Sequence, residues 1–443
     1  MALSIKKGSE NYCAQVIKLP AKVAVKGLDN LVQVTYQGNQ CLIGKDSDPD
    51  IKYLFIPSGA VLSEKFLHEN NLFRHSDKNA DTSRSGFFDD SGRVKAIKFK
   101  GIISTGFIIP QESLKSITTG AGWFEPQLGD SFTDIDKASL CWKYVKPQKA
   151  GFNSGNKVST KLVESIVDSK HFPEHTDTGH LLKNVHNLNL EDYITVSVKL
   201  HGTSVRISNS LTHRKLSTIE KVAKFFGAKV KEYEYATLVG SRRVLKSKNF
   251  QALNGKQHYY EQDVWTQVSA HYLNGTLNES EAVYGEIIGC DYNGSAIQKG
   301  YTYGLTTPKL YIYRITNINS QGIEVDLSWD QMEQRAKELG VEVCPAIYKG
   351  SLQDFIMLHK GNALKLSSHD GTTEDIGAYL EDIFYNQLLE KPSVLDSSVV
   401  EEGFVLRKDT YPKVSAYKIK ARSFLLKESA LQDAEVSDLE EEN

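Results

Sequence analysis

Tyr193-Ile-Thr-Val-Ser-Val-Lys-Leu-His-Gly-Thr-Ser-Val-Arg206 alternates apolar and hydroxyl side chains before it brings a lysine to a turn. Ile194, Val196 and Val198 against Thr195 and Ser197 give the period of two of a half-buried strand, with Lys199 at its end. Gly202 is expected to let the turn approach a ligand closely, and Thr203 and Ser204 to line a polar pocket without filling it. A lysine held there can attack phosphorus. Alone, the stretch reads equally as a strand ending in a solvated lysine.

Further along, Gly240-Ser-Arg-Arg-Val244 supplies Arg242, and the apolar strand Val283-Tyr-Gly-Glu-Ile-Ile-Gly289 carries one carboxylate, Glu286, in its middle. A buried acid is costly unless paired or near a metal, so Glu286 invites a functional reading. Ser295-Ala-Ile-Gln-Lys-Gly-Tyr-Thr-Tyr-Gly304 follows, and then the strand Leu310-Tyr-Ile-Tyr-Arg-Ile315 with Tyr313. Val400-Glu-Glu-Gly-Phe-Val-Leu-Arg407 places Glu402 at a strand end, with Glu401 expected on the opposite, surface side by alternation. In Ala416-Tyr-Lys-Ile-Lys-Ala-Arg-Ser-Phe424, Lys418 and Lys420 share one strand face. Their charges repel unless an anion lies between them, and a triphosphate supplies one.

Lys199-x-His201-Gly202-Thr203 and the five elements after it, in this order, resemble the covalent nucleotidyltransferases, in the form of the ATP-dependent RNA ligases related to the phage double-strand-type enzymes. The motif match spans about His171 to Glu428. It implies Lys199 as the nucleophile forming lysyl-AMP, with Lys418 and Lys420 assisting. Val198, Lys199, Arg242, Glu286, Tyr313, Glu402, Lys418 and Lys420 would bind ATP, with Tyr313 stacked on adenine and Arg242 on a phosphate. Glu286 would serve the ribose hydroxyls or a water of the metal shell; Glu286 and Glu402 would hold Mg2+ (or Mn2+) through water. A free lysine titrates near roughly 10.4, so the nucleophile needs a lowered pKa, expected here from Lys418, Lys420 and the cation. His201 replaces the Asp of most DNA ligases, and Ser204 stands where many relatives have Arg or Asn. The ribose contact expected from the resemblance is then either missing or made by Arg206 or Arg242.

The 443 residues have ordinary globular composition, and the formal net charge of -2 hides a strong asymmetry. From Lys199 to Lys256 there are 13 Lys or Arg against three acids, which suggests a polyanionic partner. Asp433–Asn443 carries six acids and no base, and is expected to be a solvated tail. The five cysteines are dispersed, which suggests neither a zinc ribbon nor a disulfide framework and fits a reducing compartment. With no signal-peptide core and no membrane-spanning apolar run, a cytoplasmic monomer is expected, in a host's cytoplasm if the source is viral.

The expected fold is α+β: an N-terminal OB-like β-barrel over 1–145, a linker over 146–170, an adenylyltransferase domain of antiparallel sheets flanked by helices over 171–430, and the acidic tail over 431–443. Runs at Cys13–Val25, Leu31–Tyr36, Gln40–Ile43, Tyr53–Pro57 and Val94–Pro110 predict the N-terminal strands. In the last, Arg93, Lys95, Lys98 and Lys100 are expected to face solvent or phosphate. This stretch and Leu128–Asp134 resemble the N-terminal OB domain of nick-sealing RNA ligases. Leu216–Phe226 predicts a helix with Leu216, Ile219, Val222, Ala223 and Phe226 on one face and Lys215, Lys221 and Lys224 mostly on the other, able to pack on a sheet and offer its lysines to a backbone; Asp326–Gly340 and Gly377–Leu389 predict two more. Little chain follows the last motif, so the C-terminal domain of the phage double-strand-type enzymes is expected to be missing and the N-terminal domain to bind the strand. The function implied is sealing of 3′-OH/5′-phosphate breaks, as nicks in duplex RNA or an RNA/DNA hybrid. DNA ligase, capping-type guanylyltransferase and non-enzymatic nucleic-acid binder are the alternatives.

Overall fold

The computed structural model describes residues 2–118, 125–145, 165–242, 244–246, 263–361 and 373–434. Most of the expected linker and the acidic run beyond Ala434 lie outside these, as do Arg243, Lys248 and Lys256.

Two largely antiparallel sheets, each with one short parallel strand, build the larger part. Lys199 ends the strand Tyr193–Lys199, which lies between Gly403–Lys408 and Ala346–Ser351; Ser415–Lys420 and the short Gly179–His180 complete five strands. The chain then turns through His201 and Gly202 into the long strand Thr203–His213, which enters a second sheet between Tyr233–Gly240 and Glu281–Gly289. Pro308–Ile318 and Glu324–Asp326 extend that sheet. The turn after Lys199 therefore crosses between the two sheets. Helices cover the outer faces, where alternate strand residues need burial. Leu352–Lys360 and Thr373–Asp382 bury Phe355, Ile356, Ile376 and Leu380 against Ile194, Val196 and Val198. Val264–Tyr272 and Trp329–Leu339 bury Trp265, Val268, Trp329 and Met332 against Val205, Ile207 and Ile315. The helix predicted over Asp326–Gly340 forms at Trp329–Leu339, beginning in a capping box at Ser328 and ending at Gly340 in the left-handed region.

Gly202 lies close against the neighbouring strand. A Cβ there would lie 2.2 Å from the Ile287 carbonyl oxygen, so the close approach is between the turn and the neighbouring strand. Gly202→Ala is predicted to destabilise the protein by about 1–3 kcal/mol and to disturb the Lys199 turn, read as a lower melting temperature and weaker nucleotide labelling.

Residues 2–145 are β-rich, but the strands form several small sheets of two to four, none closed into a barrel among the described residues. The reason is local. In the run Val94–Pro110, Lys100 and Gly101 both adopt positive φ and fold Ile97–Phe99 back on Ile102–Ser104, so one expected strand becomes a hairpin followed by Gly106–Pro110. Arg93 and Lys95 do not face open solvent either. Arg93 is buried, donating to the Ser429 carbonyl and pairing with Asp433, while Lys95 bridges Asp89 and Asp433 at 2.5 and 3.0 Å. Lys98 and Lys100 are exposed. The helix Arg422–Asp433, which follows the Lys418–Lys420 strand, is thus fastened to the N-terminal part at one end. Arg422 fastens the other by donating to the Gly38 carbonyl.

Candidate active site

The turn after Lys199 is clamped from three sides. Gln298 donates to the Gly202 carbonyl at 2.8 Å, Tyr303 accepts the His201 N–H at 2.9 Å, and Trp265 donates to the Ser204 carbonyl at 3.1 Å. The Ile297–Gly304 motif therefore acts on the nucleophile turn, a role its sequence did not disclose. Glu286 faces Ser204 across the strand pair; it accepts from the Gly202 N–H at 3.1 Å and from the Ser204 hydroxyl at 3.2 Å.

Glu402 is the electrostatic centre. It is 1% exposed, and its Oε1 lies 2.8 Å from Lys199 Nζ and 3.2 Å from Lys420 Nζ. Its Oε2, 3.8 Å from His201 Nδ1, is buried without a hydrogen-bond partner. Burial opposes its charge, but Lys199, Lys420 and His201 outweigh that and hold the carboxyl down to about 2. The His201 ring, edge-on to Tyr301 and Phe424, is kept neutral by burial, its pKa lowered to about 4.

The expected lowering of the Lys199 pKa is reversed in this state. Burial and Lys420 push it down, yet Glu402 and Glu286 raise it further than they lower it, so Lys199 rests as an ammonium paired with Glu402. The lowered lysine is Lys418, brought down to about 7 by burial and by Lys420, Lys199 and Arg242. Lys420 is raised, paired with Glu428 at 2.9 Å as well as with Glu402. Between pH 7 and the ordinary lysine value of 10.5 the unfolded chain thus holds a proton at position 418 that the folded one has lost. Stability contributed through Lys418 is predicted to rise with pH across that window. Lys418→Met should flatten that rise in thermal unfolding at pH 7.5 and 9.5; an unchanged slope would remove Lys418 as its source.

Tyr313 points into the cavity, and its hydroxyl lies 2.9 Å from His175 Nδ1. His175, ahead of the short strand Gly179–His180, is half-buried with its Nε2 buried and unpartnered, and desolvation with Arg206, Arg242 and Arg314 keeps it neutral. No residue spacing announced it. Arg242 pairs with Asp177 on the cavity wall. Arg206, expected as a possible ribose contact, instead holds the Phe172 and Ser241 carbonyls, with its guanidinium over the Phe172 ring. Glu401 is no surface residue. It is buried, accepts from Ser393 and Val394, and is raised to about 7 by burial, because the regular strand starts only at Gly403 and alternation does not reach back to position 401.

Val198, Lys199, Arg242, Glu286, Tyr313, Glu402, Lys418 and Lys420 all line one cavity of about 490 Å³. Its far wall belongs to the N-terminal part, through Asn11, Tyr12, Lys143 and Tyr144. Asn11 ties that wall to the turn before the Lys199 strand, donating to the Thr178 carbonyl and accepting the His180 N–H. For a divalent cation, the unpartnered Glu402 Oε2, in the cavity that Glu286 also lines, is a fitting donor. Among the described residues no cluster of three or more His, Cys, Asp or Glu could hold a metal.

A cavity with a lysine at the seam of two antiparallel sheets, two carboxylates and paired lysines on one strand is a site for a polyphosphate. The chain belongs to the RNA ligase family, whose model matches residues 192–422, just over half of it. It is similar in fold to structures of an RNA ligase from Naegleria gruberi. A ligand-free mutant of that enzyme is 16% identical, with a TM-score of 0.57, over 95% of this chain and 99% of that one. A mutant with ATP and Mn is 15% identical, TM-score 0.54, over 96% and 99%, and a form with PPi is 16% identical, TM-score 0.56, over 94% and 98%. No curated protein matches the sequence. No helix among the described residues is long and apolar enough to cross a membrane.

Proposed function

We infer that the protein is an ATP-dependent RNA ligase that seals 3′-OH/5′-phosphate breaks, as nicks in duplex RNA or an RNA/DNA hybrid. The observation that carries this is the joint presence in one cavity of Lys199, Glu286, Glu402, Lys418 and Lys420, in a chain of this family. The Naegleria enzyme, similar in fold, has been solved with ATP and Mn. The Lys199 amine attacks the α-phosphorus of ATP; the N–P bond forms, pyrophosphate leaves, and the amine's proton is lost. AMP then passes to the strand's 5′-phosphate, and the 3′-hydroxyl displaces it to close the break. Lys418 and Lys420 stabilise the departing phosphates, and an anion beside Lys418 restores its charge. Tyr313 presents an aromatic face to adenine, and Arg242 contacts a phosphate. Glu286 and Glu402 would hold Mg2+ or Mn2+ through water, and the cation would supply positive charge at the phosphates. Glu402 is also the group that keeps Lys199 protonated, so any weakening of that pair favours the free amine.

In this reading residues 1–145 serve as an OB-like domain that grips the strand, 146–170 as linker, 171–430 as the ligase domain and 431–443 as an acidic tail. The protein works as a cytoplasmic monomer of the nick-sealing branch. The test is incubation with α-labelled ATP or GTP and magnesium, followed by denaturing separation. Label from ATP alone supports the reading. Label from GTP would make the protein a capping-type guanylyltransferase, and label from neither a nucleic-acid binder without this chemistry.

A further inference from the structure

The strands Thr203–His213 and Tyr233–Gly240 run away from the Lys199 turn as a pair, and residues 214–232 join their far ends. That connection carries the helix Thr218–Phe225, started by a capping box between Ser217 and Glu220. The sequence reads as able to pack its apolar face on a sheet. It does not. No helix residue is buried, and Ile219, Val222, Phe225 and Phe226 are 81, 52, 84 and 80% exposed, the two phenylalanine rings edge to face at 5.4 Å.

A helix this short is marginal without packing, so this one gains its stability from whatever covers its face. The charges around it say what that is. Arg214 and Lys224 are held by Glu220 and Glu232, whereas Lys215, Lys221, Lys229 and Lys231 are exposed. Much of the basic block read from the sequence therefore sits at this tip. The eleven residues of Thr203–His213 put the tip ~35 Å from the nucleophile turn. Along a duplex that is on the order of one helical turn.

We propose that the 214–232 arm is a second RNA-binding element, which lays Ile219, Val222, Phe225 and Phe226 on the duplex about one helical turn from the break while its lysines meet the flanking phosphates. The A-form minor groove is wide and shallow and is recognised mostly by shape and by contacts to 2′-hydroxyls and phosphates, so a projecting helix can seat on it while basic side chains on either side reach the backbone. This inference rests on the ligase reading and adds to it a requirement for duplex length.

The experiment compares wild type with two variants, Ile219→Ser/Phe225→Ser/Phe226→Ser and Lys221→Gln/Lys229→Gln, on nicked duplexes whose arms on either side of the break are ~6 or ~20 base pairs. Both variants should form the nucleotide adduct at the wild-type rate. Both should seal the substrate about tenfold more slowly at limiting concentration when the arm on one side is long, and equally well when that arm is short. Binding of the long duplex without ATP should weaken by the same factor, with the salt slope of the lysine variant reduced by about two. This binding measurement decides the inference even should no adduct form, an outcome that would fail the ligase reading alone. Unchanged sealing and binding on long arms would overturn the proposal. So would loss at every arm length, or variants that bind RNA normally but lose self-association or adsorption to anionic vesicles.

Discussion

Lys199→Met is expected to take no label from α-labelled ATP, a loss of at least roughly a thousandfold, the scale on which covalent catalysis fails when its nucleophile is removed. The same variant should still fold. Glu402 keeps Lys420 at 3.2 Å once Lys199 is gone, so no buried carboxylate is stranded, and the melting temperature should stay close to wild type. It should also still seal a strand supplied already adenylylated, because that substrate carries the AMP that Lys199 exists to deliver. Retained labelling would displace Lys199 as nucleophile. Loss of sealing on the adenylylated strand together with a large fall in melting temperature would mean that the lysine holds the fold rather than performs the transfer.

That Lys199 ends a strand and turns at Gly202 was legible, because strand alternation is a property of adjacent residues. The convergence of Glu286, Tyr313, Glu402, Lys418 and Lys420 on one cavity followed only from the family resemblance, since nothing in their spacing brings two sheets together. What stayed hidden depends on distances between remote segments. The Lys199 pKa goes up because Glu402 lies 2.8 Å away, and a sequence names the neighbours of a lysine without ranking them. Glu401 was misread because alternation was carried two residues beyond the start of its strand. The helix at Thr218–Phe225 was predicted from periodicity, and periodicity says which face is apolar without saying whether anything covers it. Asn11, Tyr12 and Lys143 belong to no recognisable motif; the bonds of Asn11 to Thr178 and His180 and the docking of the Arg422–Asp433 helix on Arg93 and Gly38 explain why the N-terminal part walls the cavity.

Glu402→Gln separates two roles that the geometry gives one carboxylate. The substitution leaves Lys199 and Lys420, both partly exposed, beside a neutral amide, and Lys420 keeps Glu428 at 2.9 Å, so the melting temperature should fall only modestly. Its effect on the nucleophile has the opposite sense. Glu402 is the strongest influence raising the Lys199 pKa, so its removal shifts Lys199 toward the free amine at neutral pH. Were Glu402 only a resting partner for Lys199, adduct formation below the wild-type pH optimum would speed up. If instead it holds the cation at the phosphates, adduct formation falls by at least about a hundredfold, and the variant loses the stabilisation that ATP with Mn2+ confers on the wild type in thermal unfolding. The second outcome is expected, because Oε2 is buried without a partner while Oε1 alone serves both lysines. An adduct rate equal to or above wild type at pH 7 would leave Glu286 as the carboxylate that meets the metal.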